Sequence, residues 1–180
     1  VASQLVIAAP AGLEDRFRAE VPEAEVMSGG ATRQQTVHLL LAAARHDLVL
    51  IHDAARPFLP EQVARAALLA AAGEGAVTAA VPVADTLLRS ADGHTVERAG
   101  LLAVQTPQAF RRNLLLEAHE QAARSGWSAT DDAALVRRLG HATVTVPGSP
   151  WLFKITHPAD LQFARTLAGT WQETHDRDAD

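Results

Sequence analysis

Short aliphatic runs alternate with helical stretches through the first half of this chain, and that alternation limits the folds open to it. Gln4 to Ala9, Asp47 to Ile51 and Ala76 to Val83 read as strands. Between them, Thr32 to Arg45 places Val37, Leu40, Leu41 and Ala44 at helical spacing. Glu61 to Ala72 is alanine-rich, with Pro60 as its first helical residue and Gly73 and Gly75 ending it. Strand, helix and strand in this order predict βαβ units, hence an α/β fold with a mostly parallel sheet flanked by helices. A chain of 180 residues is expected to form one domain with a proper core.

The rhythm changes at Pro82. Val83 to Arg89 reads as extended, Ser90-Ala91-Asp92-Gly93 as a hairpin turn, and His94 to Arg98 as the return. Such a hairpin has little core of its own, and a second subunit is its expected support. Leu101 to Gln105 then re-enters the body, and Thr106 to Phe110 leads into a helix from Arg111 to Arg124. Thr130 is expected to cap the next helix, with Asp131 and Asp132 in its first turn. Ala142 to Val146 and Leu152 to Thr156 read as the last strands, the second carrying Lys154. Pro158 and Asp160 open a final helix that lasts to about Thr174, and a solvated tail follows over 176–180.

The stretch with the most chemistry is Ile51-His52-Asp53-Ala54-Ala55-Arg56-Pro57-Phe58. It puts an acid where a strand leaves the sheet, and ligands of open α/β sheets bind at the carboxyl ends of strands. Asp53 can hold a divalent cation there, and Arg56 can grip a phosphate with its fork of donors. The competing reading is an aspartate that caps its own turn and pairs with Arg56. Ser28-Gly29-Gly30 feeds a helix N-terminus, where backbone amides can meet an anion or a base edge. Of 16 basic residues only Lys154 is lysine, which suits a place that needs a compact ammonium. His52, next to Asp53 on an extended segment, is expected to point away from it and to be structural.

Composition excludes several classes. A formal net charge of −5 argues against a general nucleic-acid binder. Without cysteine there are no disulfides or thiolate metal sites. No apolar run approaches the roughly 20 residues of a membrane span, and no signal peptide is visible, so the cytosol is the expected compartment.

Seven motifs, in order, resemble the 2-C-methyl-D-erythritol 4-phosphate cytidylyltransferase family. They are Ser28-Gly29-Gly30-Ala31-Thr32-Arg33, His52-Asp53-Ala54-Ala55-Arg56-Pro57, Val81-Pro82-Val83-Ala84-Asp85-Thr86, Arg98-Ala99-Gly100-Leu101, Thr106-Pro107-Gln108, Thr130-Asp131-Asp132-Ala133 and Lys154 to Leu161. The resemblance implies a Rossmann-like nucleotidyltransferase fold and a homodimer made through a protruding β-arm, about residues 83–105. It implies that CTP and methylerythritol phosphate react, with Mg²⁺, to give a CDP-linked product and pyrophosphate in isoprenoid precursor synthesis. By position, Gly30, Ala31, Thr36 and Ala54 would lie by the nucleotide, and Asp53 by the metal and both substrates. Arg56, Thr86, Arg98, Thr106 and Lys154 would hold the sugar phosphate, with Thr86 and Arg98 coming from the partner's arm. The family position that is often an acid near the cytosine is Ala31 here. No stretch matches the family's glycine-rich loop with its arginine and lysine, so the alignment begins at the family's second strand and roughly a quarter of the enzyme is expected to lie outside these residues. A ribitol phosphate cytidylyltransferase, or a dimeric binding module without catalysis, would share many of these features.

Overall fold

A computed structural model describes residues 2–176; of the tail expected over 176–180, Asp176 is instead the last residue of the final helix and 177–180 lie outside the described residues. Its centre is a four-stranded sheet in the order β3 (Leu48–Ile51), β7 (Leu102–Arg111), β4 (Ala76–Pro82) and β8 (Val144–Pro147). β7 is antiparallel to both β3 and β4, whereas β8 is parallel to β4. Strands β3, β4 and β8 therefore share one direction and β7 alone opposes them. β1 (Val6–Ala9) and β2 (Glu25–Ser28) form a separate parallel pair. The expected α/β architecture is present, with β7 inserted between two strands joined by a helical crossover.

Side chains alternate across the sheet and fix its two coats. On one face Ala76 and Phe110 pack with Val37 and Leu41 of α2 (Arg33–Ala43), Leu115, Ala118 and Ala122 of α4 (Arg112–Ser125), and Leu135 and Val136 of α5 (Asp132–Arg138). On the other, Val77 and Ala109 meet Ala67 and Ala71 of α3 (Glu61–Glu74). Alanines on both sides of that contact explain the alanine-rich run: small side chains let helix and sheet approach closely. α1 (Glu14–Glu20) packs on the β1–β2 pair, and α6 (Pro158–Asp176) closes the chain.

Several local expectations are corrected. Leu101 to Gln105 and Thr106 to Phe110 are not two pieces: β7 runs through Pro107 for ten residues. The β4–β7 register shifts between Thr78 and Ala80, and a proline without a donor is tolerated at such an irregularity. Leu152 to Thr156 is not a strand. Pro150–Leu152 forms a 3₁₀ turn started by Ser149, whose hydroxyl accepts from Trp151 N–H at 3.2 Å. The following segment has one backbone bond to the Asp53 loop, Ile155 N–H to Ala55 O at 2.8 Å, which is too little for a ladder. The cap of α5 is Asp131, one residue later than expected, with Oδ1 accepting from Ala134 N–H at 2.6 Å. Pro60 is the cap of α3 and not its first helical residue.

The hairpin forms as expected, with β5 (Leu87–Leu88) paired to β6 (Thr95–Val96) and Gly93 in the turn at φ +72°. It stands off the body, and Leu88 is 63% exposed.

The buried amide of Gln108 ties the sheet to α5. Its Oε1 accepts from Asp132 N–H and Ala133 N–H, both at 3.1 Å, and its Nε2 donates to Thr78 Oγ1 at 2.9 Å. Gln108→Met keeps the volume but strands two buried donors, so a loss of about 2 kcal/mol or more is expected in urea unfolding.

Candidate active site

Asp53 sits two residues beyond β3, and its backbone is fixed before its side chain is. Thr106 Oγ1, from β7, accepts Asp53 N–H at 3.1 Å. The carboxylate is then held from two directions. Arg33 Nε donates to Oδ1 at 3.0 Å, and Lys154 Nζ donates to Oδ2 at 2.8 Å. Burial pushes the Asp53 carboxyl up, but the Lys154 hydrogen bond and the Arg33 charge and hydrogen bond outweigh it, so its pKa lies below the ordinary value. Asp53 is thus ionised at neutral pH.

The expected pairing of Asp53 with Arg56 does not occur. The Arg56 side chain turns to the Lys154 segment, where Nη1 donates to the Leu152 carbonyl. Its Nε is buried without a partner, and burial lowers the guanidinium pKa against the opposing pull of Asp53. A half-buried guanidinium that no carboxylate neutralises by a hydrogen bond among the described residues can still take an anion through its other N–H groups.

His52 has more to do than expected. Its Nε2 lies 2.9 Å from the Arg56 carbonyl, which can only accept, so Nε2 carries the proton. Nδ1, 3.1 Å from Thr106 Oγ1, then accepts the threonine hydroxyl. Burial lowers the His52 pKa despite the bond to the Arg56 carbonyl. The neutral ring therefore staples both ends of the Asp53–Arg56 turn and orients Thr106.

Gly30 and Thr36 are neighbours. Thr36 Oγ1 accepts Gly30 N–H at 3.0 Å and donates to the Thr32 carbonyl at 2.9 Å. A Cβ on Gly30 would lie 2.7 Å from Gln35 Cβ, so the residue must be glycine. Ala31 and Ala54 are exposed beside these turns. Asp53, Lys154, Arg56 and Thr106 are brought together. Thr86 and Arg98 are not: both are exposed on the arm, where Arg98 Nη1 donates to the Ala84 carbonyl. Among the described residues, no hydrogen bond or ion pair joins either to Asp53. Arg33, by contrast, is a site residue to which the sequence alone assigns no role.

A carboxylate flanked by cations at the end of a strand, with a glycine turn beside it, suits phosphate chemistry on a nucleotide. The sequence profile described as IspD, 2-C-methyl-D-erythritol 4-phosphate cytidylyltransferase, matches residues 2–169. The chain belongs to this cytidylyltransferase family. The family's Deinococcus radiodurans enzyme, named 2-C-methyl-D-erythritol 4-phosphate cytidylyltransferase, is 52% identical over 92% of this chain and 72% of its own length. The Salinibacter ruber enzyme of the same name is 44% identical, covering 96% and 77%. The crystal structure of the Thermus thermophilus cytidylyltransferase superposes with a TM-score of 0.88 at 44% identity, over 93% of this chain and 83% of that one. Membership makes the chain a nucleotidyltransferase, an enzyme, with the fold that the sequence implied.

Among the described residues, no group of three or more His, Cys, Asp and Glu side chains is placed to hold a metal. No described helix is long and apolar enough to cross a membrane.

His52 makes a pH prediction. Its folded pKa lies below the unfolded value of 6.5, so the unfolded chain binds more protons between the two. Its contribution to stability is complete above pH 6.5 and shrinks as pH falls towards the folded pKa. His52→Gln, which retains a donor for the Arg56 carbonyl, should flatten the fall in Tm between about pH 7 and about pH 5. An unchanged slope in the variant would contradict a neutral His52.

Proposed function

We propose that this chain transfers the cytidylyl group of CTP to 2-C-methyl-D-erythritol 4-phosphate, giving 4-diphosphocytidyl-2-C-methyl-D-erythritol and pyrophosphate in the non-mevalonate isoprenoid pathway. The observation that carries this reading is the Asp53 carboxylate held between Arg33 and Lys154, with the Arg56 guanidinium on the same loop and not spent on a carboxylate. The nucleophile is a phosphate oxygen of the sugar phosphate, already ionised at neutral pH. It bonds to the α-phosphorus of CTP as the bond to the bridging oxygen breaks, and pyrophosphate leaves with the electron pair. No protein base is needed. What the chain supplies is alignment and neutralisation of the charge on the phosphates.

The residues divide this work. Arg56 offers the guanidinium N–H groups not spent on the Leu152 carbonyl to the sugar phosphate, next to Thr106. Lys154 has three N–H donors and uses one on Asp53, leaving two for phosphate oxygens. Gly30, Ala31, Thr36 and Ala54 form the wall at the nucleoside. Asp53 fits a Mg²⁺ ion of the kind that takes one carboxylate and completes its shell with phosphates and water, and does not fit one that needs an all-protein cage. When bound, Mg²⁺ supplies charge neutralisation on the triphosphate.

Residues 1–180 act as a single nucleotidyltransferase domain whose arm, about 83–105, joins two copies into a homodimer. Exposed Leu87, Leu88, Leu101, Leu102 and Val104 support this, since a two-stranded hairpin needs cover. In that dimer Thr86 and Arg98 complete the partner's sugar-phosphate site. The cytosol is the proposed compartment, where both substrates are at hand.

Pyrophosphate release from CTP and Mg²⁺ is expected with methylerythritol phosphate and not with ribitol 5-phosphate; the reverse preference overturns the substrate assignment. Asp53→Asn should reduce kcat by about 10²-fold, the order lost with one preorganised charged group. Lys154→Ala should act mainly on use of the sugar phosphate, and unchanged kinetics would remove Lys154 from the site.

A further inference from the structure

A line of charged and polar side chains leads from the Asp53 carboxylate into the core. Arg33 uses Nε on Asp53 and Nη1 on Asp132 Oδ2, at 2.9 Å. Asp132 is 1% exposed, and its other oxygen lies 3.0 Å from Nε2 of His119, which is also buried. The Arg33 guanidinium pKa is raised: burial would lower it, but the charges of Asp132 and Asp53 prevail. The Asp132 contact is a charge contact, because Oδ2 makes no aligned hydrogen bond.

The line closes into a ring. Asp132 begins α5, whose first amides are held by Gln108 Oε1. Gln108 is two residues from Thr106 on β7, and Thr106 holds the Asp53 backbone. The backbone of Asp53 and its carboxylate are thus set by the same strand, the second through Gln108, α5, Asp132 and Arg33. Arg33 is also the first residue of α2, where the helix dipole disfavours a cation. The two carboxylates offset that cost.

We infer that Arg33 and Asp132 are positioning residues for Asp53: Asp132, out of reach of any substrate, orients the Arg33 fork, and Arg33 fixes the rotamer of Asp53. The inference rests on the cytidylyl-transfer reading for its effect on rate. Lys154 holds Asp53 with no second carboxylate behind it among the described ion pairs, whereas Arg33 is itself anchored on the buried Asp132, so Lys154 cannot replace this arm as a fixed reference. When a phosphate engages Lys154, the Arg33 arm is what keeps Asp53 in place.

The test compares Arg33→Ala, Asp132→Asn and the double variant, with CTP, Mg²⁺ and methylerythritol phosphate. Arg33→Ala should lose about 10- to 10²-fold in kcat, the scale of a misplaced catalytic group, with both KM values nearly unchanged. Adding Asp132→Asn to Arg33→Ala should cost no further kcat, because Asp132 acts through Arg33. Millimolar guanidinium chloride should restore part of the rate to Arg33→Ala and none to Asp53→Asn. Additive losses, a KM effect alone, or a normal rate in Arg33→Ala would each overturn the inference. A purely structural role would lower Tm without guanidinium rescue, and that also counts against it.

A measurement without turnover separates the two claims. The Arg33 Nε–H of ¹⁵N-labelled protein should be protected from exchange, and should lose protection in Asp132→Asn. A protected Nε–H in protein that turns over neither sugar phosphate would sink the cytidylyl-transfer reading and leave the bridge itself standing. An unprotected Nε–H in folded wild-type protein overturns the bridge, whatever the activity.

Discussion

Gln108 is the fixed point of this structure. A fully buried primary amide must find partners for both ends, since leaving either unmet costs about as much as a well-packed apolar group contributes. It finds them on β4 through Thr78 and on the first amides of α5, and so determines how a helix meets the sheet. The site follows from that choice. Thr106, on the same strand, takes Asp53 N–H, while α5 brings Asp132 to face Arg33. The antiparallel insertion of β7 between β3 and β4 makes this possible, because it places one strand next to both the Asp53 loop and the α5 entry.

Electrostatics at the site are balanced by proximity. Asp53, 16% exposed, would be costly as a bare carboxylate, and two cations offset that cost. Arg56 is the site cation held by a backbone carbonyl and not by a carboxylate. A guanidinium held by a carbonyl alone keeps its charge in reserve for a ligand. Two phosphate-bearing substrates bring several negative charges to the same place, which is the compensation the free site lacks.

Much of this was legible in the sequence where the signal was local. The βαβ rhythm, the Asp92-Gly93 hairpin and the strand-end Asp53 depend on short-range chemistry, and each appears where expected. The conjunction of Asp53 with Lys154 spans 101 residues and was legible only through the family resemblance. The misreadings have physical causes. Leu101 to Gln105 and Thr106 to Phe110 read as separate pieces, yet β7 runs through both, and its irregular pairing with β4 between Val104 and Gln108 leaves Pro107 with no ladder donor to supply. Leu152 to Thr156 has the composition of a strand, but a segment whose Phe153 packs on Phe58 and whose backbone makes one backbone bond to the Asp53 loop is held without a ladder. Arg33 carries a signal of its own: an arginine opening a helix works against the dipole, and that mismatch points to carboxylates outside the helix.

The aromatic side chains explain why the two site loops behave as one piece. Phe58 follows Arg56 by two residues and Phe153 precedes Lys154, and their rings lie 5.8 Å apart. Phe58 also meets Trp151 of the 3₁₀ turn at 5.8 Å and Trp171 of α6 at 5.3 Å, while Trp151 and Trp171 are 5.1 Å apart. Each tilted or edge-on pair contributes about 0.5–1.5 kcal/mol beyond its buried area, and the cluster shares members, so the loops and α6 move together or not at all. Polar contacts alone would not achieve this. The Ile155–Ala55 and Arg56–Leu152 bonds fix register between the loops, but they are few and partly exposed to water. An apolar buttress behind a polar front lets Lys154 and Arg56 face solvent and substrate while their backbones stay where the sheet and α6 put them.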